Sequence, residues 1–163
     1  MDLSHLNRAL QPLVHRIKLA VSRGKVRLVY KDNRFKTQRL QVELLAGELS
    51  DILEHFEPYG FTASPVLGAE ALVHFLGGNR AHGIAGVVSD GRSRPRTLTE
   101  GEVAIYHCSD DPAASAEEAR HRITLTAGKI ILRVDALDIK CGPSTLQMDA
   151  EGIRLAGPRI DLN

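Results

Sequence analysis

Apolar and polar residues alternate in a regular pattern over about the last forty residues of the chain. Successive apolar-polar-apolar units begin seven residues apart, except at one step of nine that contains Gly142 and Pro143. A coiled-coil heptad places apolar residues three and four apart, whereas a spacing of two puts side chains on one face of a strand. The pattern predicts a ribbon of short strands whose apolar face consists of Ile123, Leu125, Ile130, Leu132, Val134, Leu137, Ile139, Leu146, Met148, Ile153, Leu155, Ile160 and Leu162.

The residues between these apolar positions indicate how the ribbon is covered. The alternate positions are mostly polar, as at Thr124, Arg133 and Gln147, so we expect that face to meet water, with Ile131 as the exception. Each fully buried apolar side chain contributes about 1.5–3 kcal/mol, so the apolar face needs a second surface. Identical copies are the simplest cover, and their two- or threefold association predicts an intertwined β-prism or a triple-stranded β-helix. A monomeric solenoid or the last strands of a sandwich is the alternative.

In residues 1–23 the apolar residues have the spacing of a helix and not that of a strand. We expect a short docking helix there, with Pro12 near its first turn and Gly24 just past its end. One face of this helix is formed by Leu13, Val14, Ile17 and Val21.

The middle of the chain returns to a period of two. Five strands are predicted within residues 24–108, at 26–30, 40–44, 70–76, 83–89 and 102–107. They predict a small barrel, for which an OB-fold is the natural candidate. Residues 48–65 are predicted as a loop whose aromatic rings pack against a barrel end. Residues 109–120 are predicted as a polar linker, which leaves residues 121–163 as the ribbon.

Composition excludes several classes of function. The chain has 21 Lys and Arg against 20 Asp and Glu, which gives no electrostatic case for nucleic-acid binding. Its apolar runs are too short to span a bilayer and no signal-peptide core begins the chain, so we expect synthesis and folding in the cytoplasm. Cys108 and Cys141 have no metal-binding spacing and are expected to be reduced.

The candidate chemical groups point to structural roles. His107, Cys108 and His121 are a poor metal set, because adjacent residues of a strand point to opposite faces. Residues 54–57 hold two Glu and one His in a charged loop that we expect to be solvated. Residues 77–78 are a Gly pair without the Gly-Lys-Ser/Thr sequence of a phosphate loop. We therefore predict no catalytic residue, no metal site and no enzyme activity.

Residues 41–48, 58–62, 65–73, 77–83 and 101–106 carry recognisable motifs, among them Pro58, Tyr59, Gly60, Phe61, Gly77, Gly78, Arg80, His82 and Gly83. Together they resemble the Mu-type baseplate assembly protein V family, the central spikes of contractile-tailed phages. The matching motifs lie within about residues 20–107. From there to the C-terminus the resemblance is one of architecture.

The resemblance implies a homotrimer located in the tail baseplate of the virion. Its OB-fold barrel would plug into the baseplate hub, and its β-helical shaft would pierce the host outer membrane on sheath contraction. Relatives often hold an apex iron through a His-x-His pair, but this chain has no His after His121, so the iron site is not carried over and no cofactor is expected. A separate small tip protein is the favoured cap.

Two other functions compete with this interpretation. An OB-fold module that binds nucleic acid or protein, with a β-solenoid oligomerisation tail, is the alternative. For nucleic acid it would need exposed aromatics and a basic groove, whereas the chain has no Trp, seven Phe and Tyr, and one basic cluster at residues 92–96. A glycan-cleaving spike would need an inserted domain, for which 163 residues leave no room, and a carboxylate pair, of which the sequence shows no convincing example.

Overall fold

A computed structural model describes residues 3–31 and 36–160 of the chain. The chain folds into two compact units, with the boundary between Gly91 and Arg92. The first unit contains α1 (Leu3–Leu19), β1 (Val21–Tyr30), β2 (Arg39–Leu44), β3 (Leu49–His55), β4 (Glu70–Phe75) and β5 (Gly83–Ser89). The second unit contains β6 (Val103–Tyr106), β7 (Arg122–Leu125), β8 (Ile130–Arg133), β9 (Leu137–Cys141), β10 (Ser144–Asp149) and β11 (Gly152–Ala156). The prediction of a mostly β chain that begins with a short helix is confirmed.

The first unit is a closed barrel of five strands in the order β1-β2-β3-β5-β4. Only the β3–β5 pair is parallel among its described ladders. Strands β2 and β4 alternate strictly between inward and outward residues, as expected when one face of a sheet forms the core. The core is formed by Val26, Leu40, Val42, Leu44, Leu53, Ala69, Ala71, Val73, Phe75 and Ala85.

The prediction of a barrel is confirmed, but the prediction for one of its strands is wrong. The fifth barrel strand is β3, which lies within the segment predicted as a loop. Its alternation is broken because the ladder with β2 shifts register, and Ile52 adopts a positive φ of 54° there. The strand predicted at residues 102–107 corresponds to β6, which pairs with β7 in the second unit instead of closing the barrel.

The helix differs from the prediction at both ends, because it begins at Leu3, so that Pro12 is not near its first turn, and it ends earlier than predicted. Pro12 lies inside α1, and the chain enters β1 at Val21, so Gly24 is a strand residue. Pairing with β4 holds residues 21–25 in extended form, which overrides their helical spacing. The C-terminal end of α1 packs on a 3₁₀ turn, where a Cβ on Gly78 would lie 2.4 Å from the Arg16 carbonyl oxygen.

A bulge in β1 changes which residues face the core. The register between β1 and β2 shifts between Val26 and Leu28, which reverses the inward and outward positions beyond that point. Val29 consequently packs against the core, while Leu28 is exposed. The predicted alternation of Val26, Leu28 and Tyr30 is therefore wrong after its first residue.

The second unit contains two antiparallel sheets of three strands each. Their orders are β6-β7-β8 and β11-β10-β9, so each sheet is a meander in which strands consecutive in the chain are paired. Within the described ranges, no helix combines the length and the apolar character needed to cross a membrane.

Candidate assembly surfaces

The β6–β8 sheet has one apolar face. Directly paired residues of antiparallel strands share a face. The pairing aligns six apolar residues in three strands: Val103, Ile105, Ile123, Leu125, Ile130 and Leu132. All six are exposed in the single chain, from 36% at Ile123 to 73% at Ile130.

The β9–β11 sheet repeats this arrangement. Its cross-strand pairs align Leu137, Ile139, Leu146, Met148, Ile153 and Leu155. Leu137 and Leu146 are half-buried and the others are exposed. Ile160, beyond β11, lines the same shallow hollow as Ile139, Leu146 and Leu155. The opposite face is polar and exposed, with Asp138, Gln147 and Arg154 in register.

These two faces account for most residues of the predicted ribbon core. Four of the predicted residues lie on the first face and six on the second. Val134 and Ile160 lie outside the strands and are exposed, and Leu162 lies outside the described residues. Val103 and Ile105 share the first face, although the sequence pattern predicts them in the barrel. Their apolar-x-apolar spacing, the same as in the ribbon, is the signal that could have placed them.

The other face of the β6–β8 sheet is partly buried by the chain itself, although Tyr106 and Arg133 on that face are exposed. Arg122 donates through Nε to a carboxylate oxygen of Asp110 at 2.6 Å, and both side chains are fully buried. Its two terminal nitrogens donate to the carbonyl oxygens of Ala114 at 3.2 Å and Asp111 at 3.0 Å. Ala119 is also buried. Residues 110–119 therefore have buried contacts that a free linker would lack.

Asp110 remains ionised in this setting. Burial opposes its ionisation, but hydrogen bonds from the Arg120 backbone N–H and from Arg122, together with the Arg122 charge, lower the pKa of Asp110 below its ordinary value. A buried charge is tolerated when an opposite charge and hydrogen bonds satisfy it. The pair thus fixes residues 110–119 against β7.

The buried face corrects one prediction and explains another. Thr124, predicted to face water, is buried, and its hydroxyl has no hydrogen-bond partner. Ile131 pairs with Thr124 across β7 and β8 and is also buried. Ile131 is the exception to the polar alternation because it faces the covered side of the sheet. That exception is the only sequence signal of this second, small core.

The loop between β3 and β4 carries the motif Pro58, Tyr59, Gly60 and Phe61. The Phe61 N–H donates to the Pro58 carbonyl at 3.0 Å, and Gly60 has a φ of +85°, which is the geometry of a type II turn. The Tyr59 ring is fully exposed and Phe61 is 66% exposed. The prediction that these rings pack against a barrel end is wrong, because the tight turn directs them outwards.

Glu57 organises the same loop. Its carboxylate accepts hydrogen bonds from the Thr62 hydroxyl at 2.9 Å and from the Ala63 N–H at 2.5 Å. Gln38 donates to the Ala63 carbonyl, and its side-chain oxygen lies 2.8 Å from Nδ1 of His55. Burial lowers the pKa of His55, with a smaller opposing effect from Glu57. These contacts suit a fixed loop better than acid-base chemistry.

Arg80 connects three parts of the barrel. Its guanidinium pairs with the Glu48 carboxylate, donates to the Ser22 hydroxyl at 3.1 Å and lies 4.2 Å from the centre of the Phe75 ring. The preceding motif glycines have φ values of 62° and 72°, which favour Gly. His82 closes the turn, since its carbonyl accepts from the Leu76 N–H at 3.1 Å. The next residue, Gly83, lets the chain pass close to core side chains.

Helix α1 presents a further apolar stripe. Leu10, Leu13, Val14 and Ile17 lie three and four apart and are all at least 38% exposed. Residues 3–19 contain two Arg and one Lys but no Asp or Glu. The helix is therefore basic as well as amphipathic.

The His and Cys residues form no metal centre in the part of the chain that the structure describes. The rings of His107 and His121 meet edge to face, with centroids 6.0 Å apart. His121 Nε2 lies 3.3 Å from an Asp135 oxygen, and His107 Nδ1 lies 2.8 Å from the Ser109 hydroxyl. Cys108 is a free, exposed thiol, as is Cys141.

Comparison with known proteins gives consistent similarities. A family model described as "Bacteriophage Mu Gp45, N-terminal" matches residues 23–92, which include most of the barrel. "Baseplate puncturing device gp45" of Escherichia phage Mu is 40% identical over 137 residues, which are 83% of this chain and 64% of that protein. "Mu-like prophage FluMu protein gp45" of Haemophilus influenzae is 32% identical over 152 residues, which are 93% of this chain and 80% of that protein. This chain thus spans less than two thirds of the phage Mu relative.

Proposed function

Since the chain belongs to the bacteriophage Mu Gp45 family, we propose that it is the homotrimeric central spike of a contractile phage tail baseplate. Its place is the tail baseplate of the virion, in association with other baseplate components. The name of the phage Mu relative, a baseplate puncturing device, supports this assignment. The role is structural.

The observation that carries the proposal is the pair of exposed apolar faces in the second unit. Each face aligns six apolar side chains over three strands. A soluble monomer rarely exposes contiguous apolar patches of this kind without a partner. Three chains arranged about a common axis would cover both faces with copies of themselves. The polar face of the β9–β11 sheet would remain in water, as a triple-stranded β-helix requires.

We propose the barrel as an OB-fold that plugs into the hub. The five-stranded closed barrel and its parallel β3–β5 pair support this assignment. The exposed stripe of α1 and the outward rings of Tyr59 and Phe61 are the barrel-side surfaces most suited to a protein partner, because aromatic and aliphatic anchors dominate such contacts.

The mechanism that follows is mechanical. Strands of the β9–β11 sheet are hydrogen-bonded along their length within each chain. If three chains share one core, no chain can separate locally without exposing its apolar face, so the shaft resists local unfolding. A narrow, stiff rod of this kind can be driven through the host outer membrane by sheath contraction without a cofactor.

The test compares two positions on β8 that lie on opposite faces. Ile130→Asp places a charge on the apolar face, and we expect it to abolish assembly, because an unpaired buried charge is strongly unfavourable. Arg133→Ala changes an exposed residue on the opposite face of the strand and should keep the oligomer. Light scattering measures the mass, which should be three times 17.8 kDa for the unmodified protein. A monomeric unmodified protein, or equal assembly of both variants, contradicts the proposal.

A further inference from the structure

We propose that helix α1 packs against the α1 helices of two other copies of the chain, so that the three helices form a short parallel coiled coil. This inference rests on the proposed trimer and assigns a partner to the exposed apolar stripe of α1. It places a contact between copies in the first unit, separate from the apolar sheets of the second unit.

The first argument is that α1 covers little of its apolar surface within its own chain. Every residue from 8 to 19 is exposed in the single chain. The helix meets the barrel at its C-terminal end, where the Arg16 backbone passes close to Gly78 and the Ala20 carbonyl accepts from the Phe75 N–H at 2.7 Å. A helix of 17 residues that packs on nothing is marginal in water, and Pro12 inside it removes a backbone hydrogen bond. The helix therefore needs packing that the described part of its own barrel does not supply.

The second argument is the spacing of the apolar residues in α1. The sequence places Leu3, Leu6, Leu10, Leu13 and Ile17 alternately three and four residues apart. This is the pattern of a coiled coil, with Leu3, Leu10 and Ile17 at a positions and Leu6 and Leu13 at d positions. It differs from the spacing of two that indicates strands in the ribbon. Such a seam packs against helices with the same repeat, and copies of α1 carry that repeat in register.

The third argument concerns the residues that flank the seam. The e and g positions of a coiled coil face the neighbouring helix, and charges at these positions select or exclude a partner. Within α1 these positions are Asn7, Ala9, Val14 and Arg16. Only one of them is charged, so parallel copies meet no opposed pair of like charges across the seam. The other two cations, Arg8 and Lys18, occupy the outward f and b positions.

The fourth argument is that copies of α1 would already be held near one another. Association through the second unit would bring three α1 helices into one particle. Linked binding segments meet at an effective concentration of about 1 mM, provided that the connection can span them. A seam of about two heptads, which is marginal as a free peptide, can pack under these conditions. The outward rings of Tyr59 and Phe61 are then the barrel surface that remains for the hub.

The test measures whether the α1 helices of one particle touch along the seam. In a Cys108→Ser, Cys141→Ser background, Leu13→Cys at a d position is compared with Arg8→Cys at an outward position. Both positions are exposed in the single chain, so their thiols are equally accessible before assembly. Leu10→Cys provides a second position on the seam. The 163-residue chain is diluted until collisions between particles are rare and is treated with diamide, and covalent dimer is measured over time on a non-reducing gel.

We expect covalent dimer to form at least about tenfold faster at positions 10 and 13 than at position 8. Only the seam brings two copies of one residue within the roughly 4.4–6.8 Å between Cα atoms that a disulfide can bridge. In urea the three variants should cross-link equally slowly, because the helices are then separated.

A second measurement needs no added thiol. Helix α1 is the only α-helix in residues 3–31 and 36–160, so the helical signal in circular dichroism reports on it. Leu13→Asp places a charge in the seam and should remove most of that signal, while light scattering still shows a trimer held by the second unit. Arg8→Asp, on the outward face, should keep both.

Equal cross-linking at positions 8 and 13 in an intact trimer overturns the coiled coil but leaves the spike. An unchanged helical signal in Leu13→Asp has the same meaning, and the basic stripe would then fit an acidic groove of another protein. An unmodified protein that is monomeric overturns both proposals.

Discussion

The buried pair of Asp110 and Arg122 allows a quantitative prediction. Asp110→Asn keeps the shape of the side chain and one acceptor oxygen but removes the negative charge. Arg122, whose side chain is fully buried, then keeps only neutral acceptors, including the carbonyl oxygens of Asp111 and Ala114. The perturbation therefore isolates the charge that compensates the buried guanidinium.

The magnitude follows from the burial of both partners. Removing one partner of a buried ion pair costs about 3–5 kcal/mol, because the remaining charge is uncompensated. The carbonyl oxygens and the amide oxygen of Asn continue to accept from Arg122, so we expect the lower end, about 3 kcal/mol. With a urea dependence of about 1–3 kcal/mol per M, the unfolding midpoint should fall by about 1–3 M.

The matched control is Asp135→Asn. Asp135 pairs with Arg120 at 3.5 Å, and the two side chains are 61% and 71% exposed. Exposed pairs of this kind contribute less than about 1 kcal/mol. Urea unfolding is followed by circular dichroism at one fixed protein concentration, because the stability of an oligomer depends on concentration. Equal midpoints for the two variants would refute the reasoning.

The same carboxylate predicts a dependence on pH. The pKa of Asp110 is lowered in the folded protein, so the unfolded chain binds its proton more readily. Its contribution to stability is therefore complete above the ordinary value of 3.8 and is lost as the pH falls through the folded value. The difference in stability between the unmodified protein and Asp110→Asn should shrink in that acid range. A difference that stays constant down to that range contradicts the assignment.

Three further predictions concern packing. Thr124→Val should leave the unfolding free energy unchanged or raise it by about 1 kcal/mol, since the buried hydroxyl has no hydrogen-bond partner. A decrease in the unfolding free energy of more than about 1 kcal/mol would contradict this prediction. Gly83→Ala should cost about 1–3 kcal/mol in urea unfolding, because its Cβ would lie 2.3 and 2.9 Å from two core side chains. Gly128→Ala, with no atom within 4 Å of its Cβ, is the control and should cost much less. Residues 1–91 alone should show a cooperative thermal transition by calorimetry, because they form a compact unit, and its absence would contradict the boundary.

The sequence determined the elements whose residues follow one regular period. In β2 and β4 each apolar residue lies two positions from the next, and the pleat directs all of them to the core. The same holds for the ribbon. A spacing of two places its apolar side chains on one face of each strand, and this does not depend on what that face contacts. The family resemblance identified Arg80 and the motif glycines as residues of interest, but it did not predict which residues they contact.

Only the tertiary structure decided features that depend on contacts between segments distant in the sequence. The bulge after Val26 reverses the faces of β1, and β3 becomes a strand through ladders with β2 and β5 despite its irregular pattern. The partner of Arg122 lies twelve residues away in a segment rich in polar residues, so its burial has no signature in composition. The period of apolar residues shows only which side chains of a single strand share a face. Pairing between distant segments decides which sides are covered, and by which part of the chain.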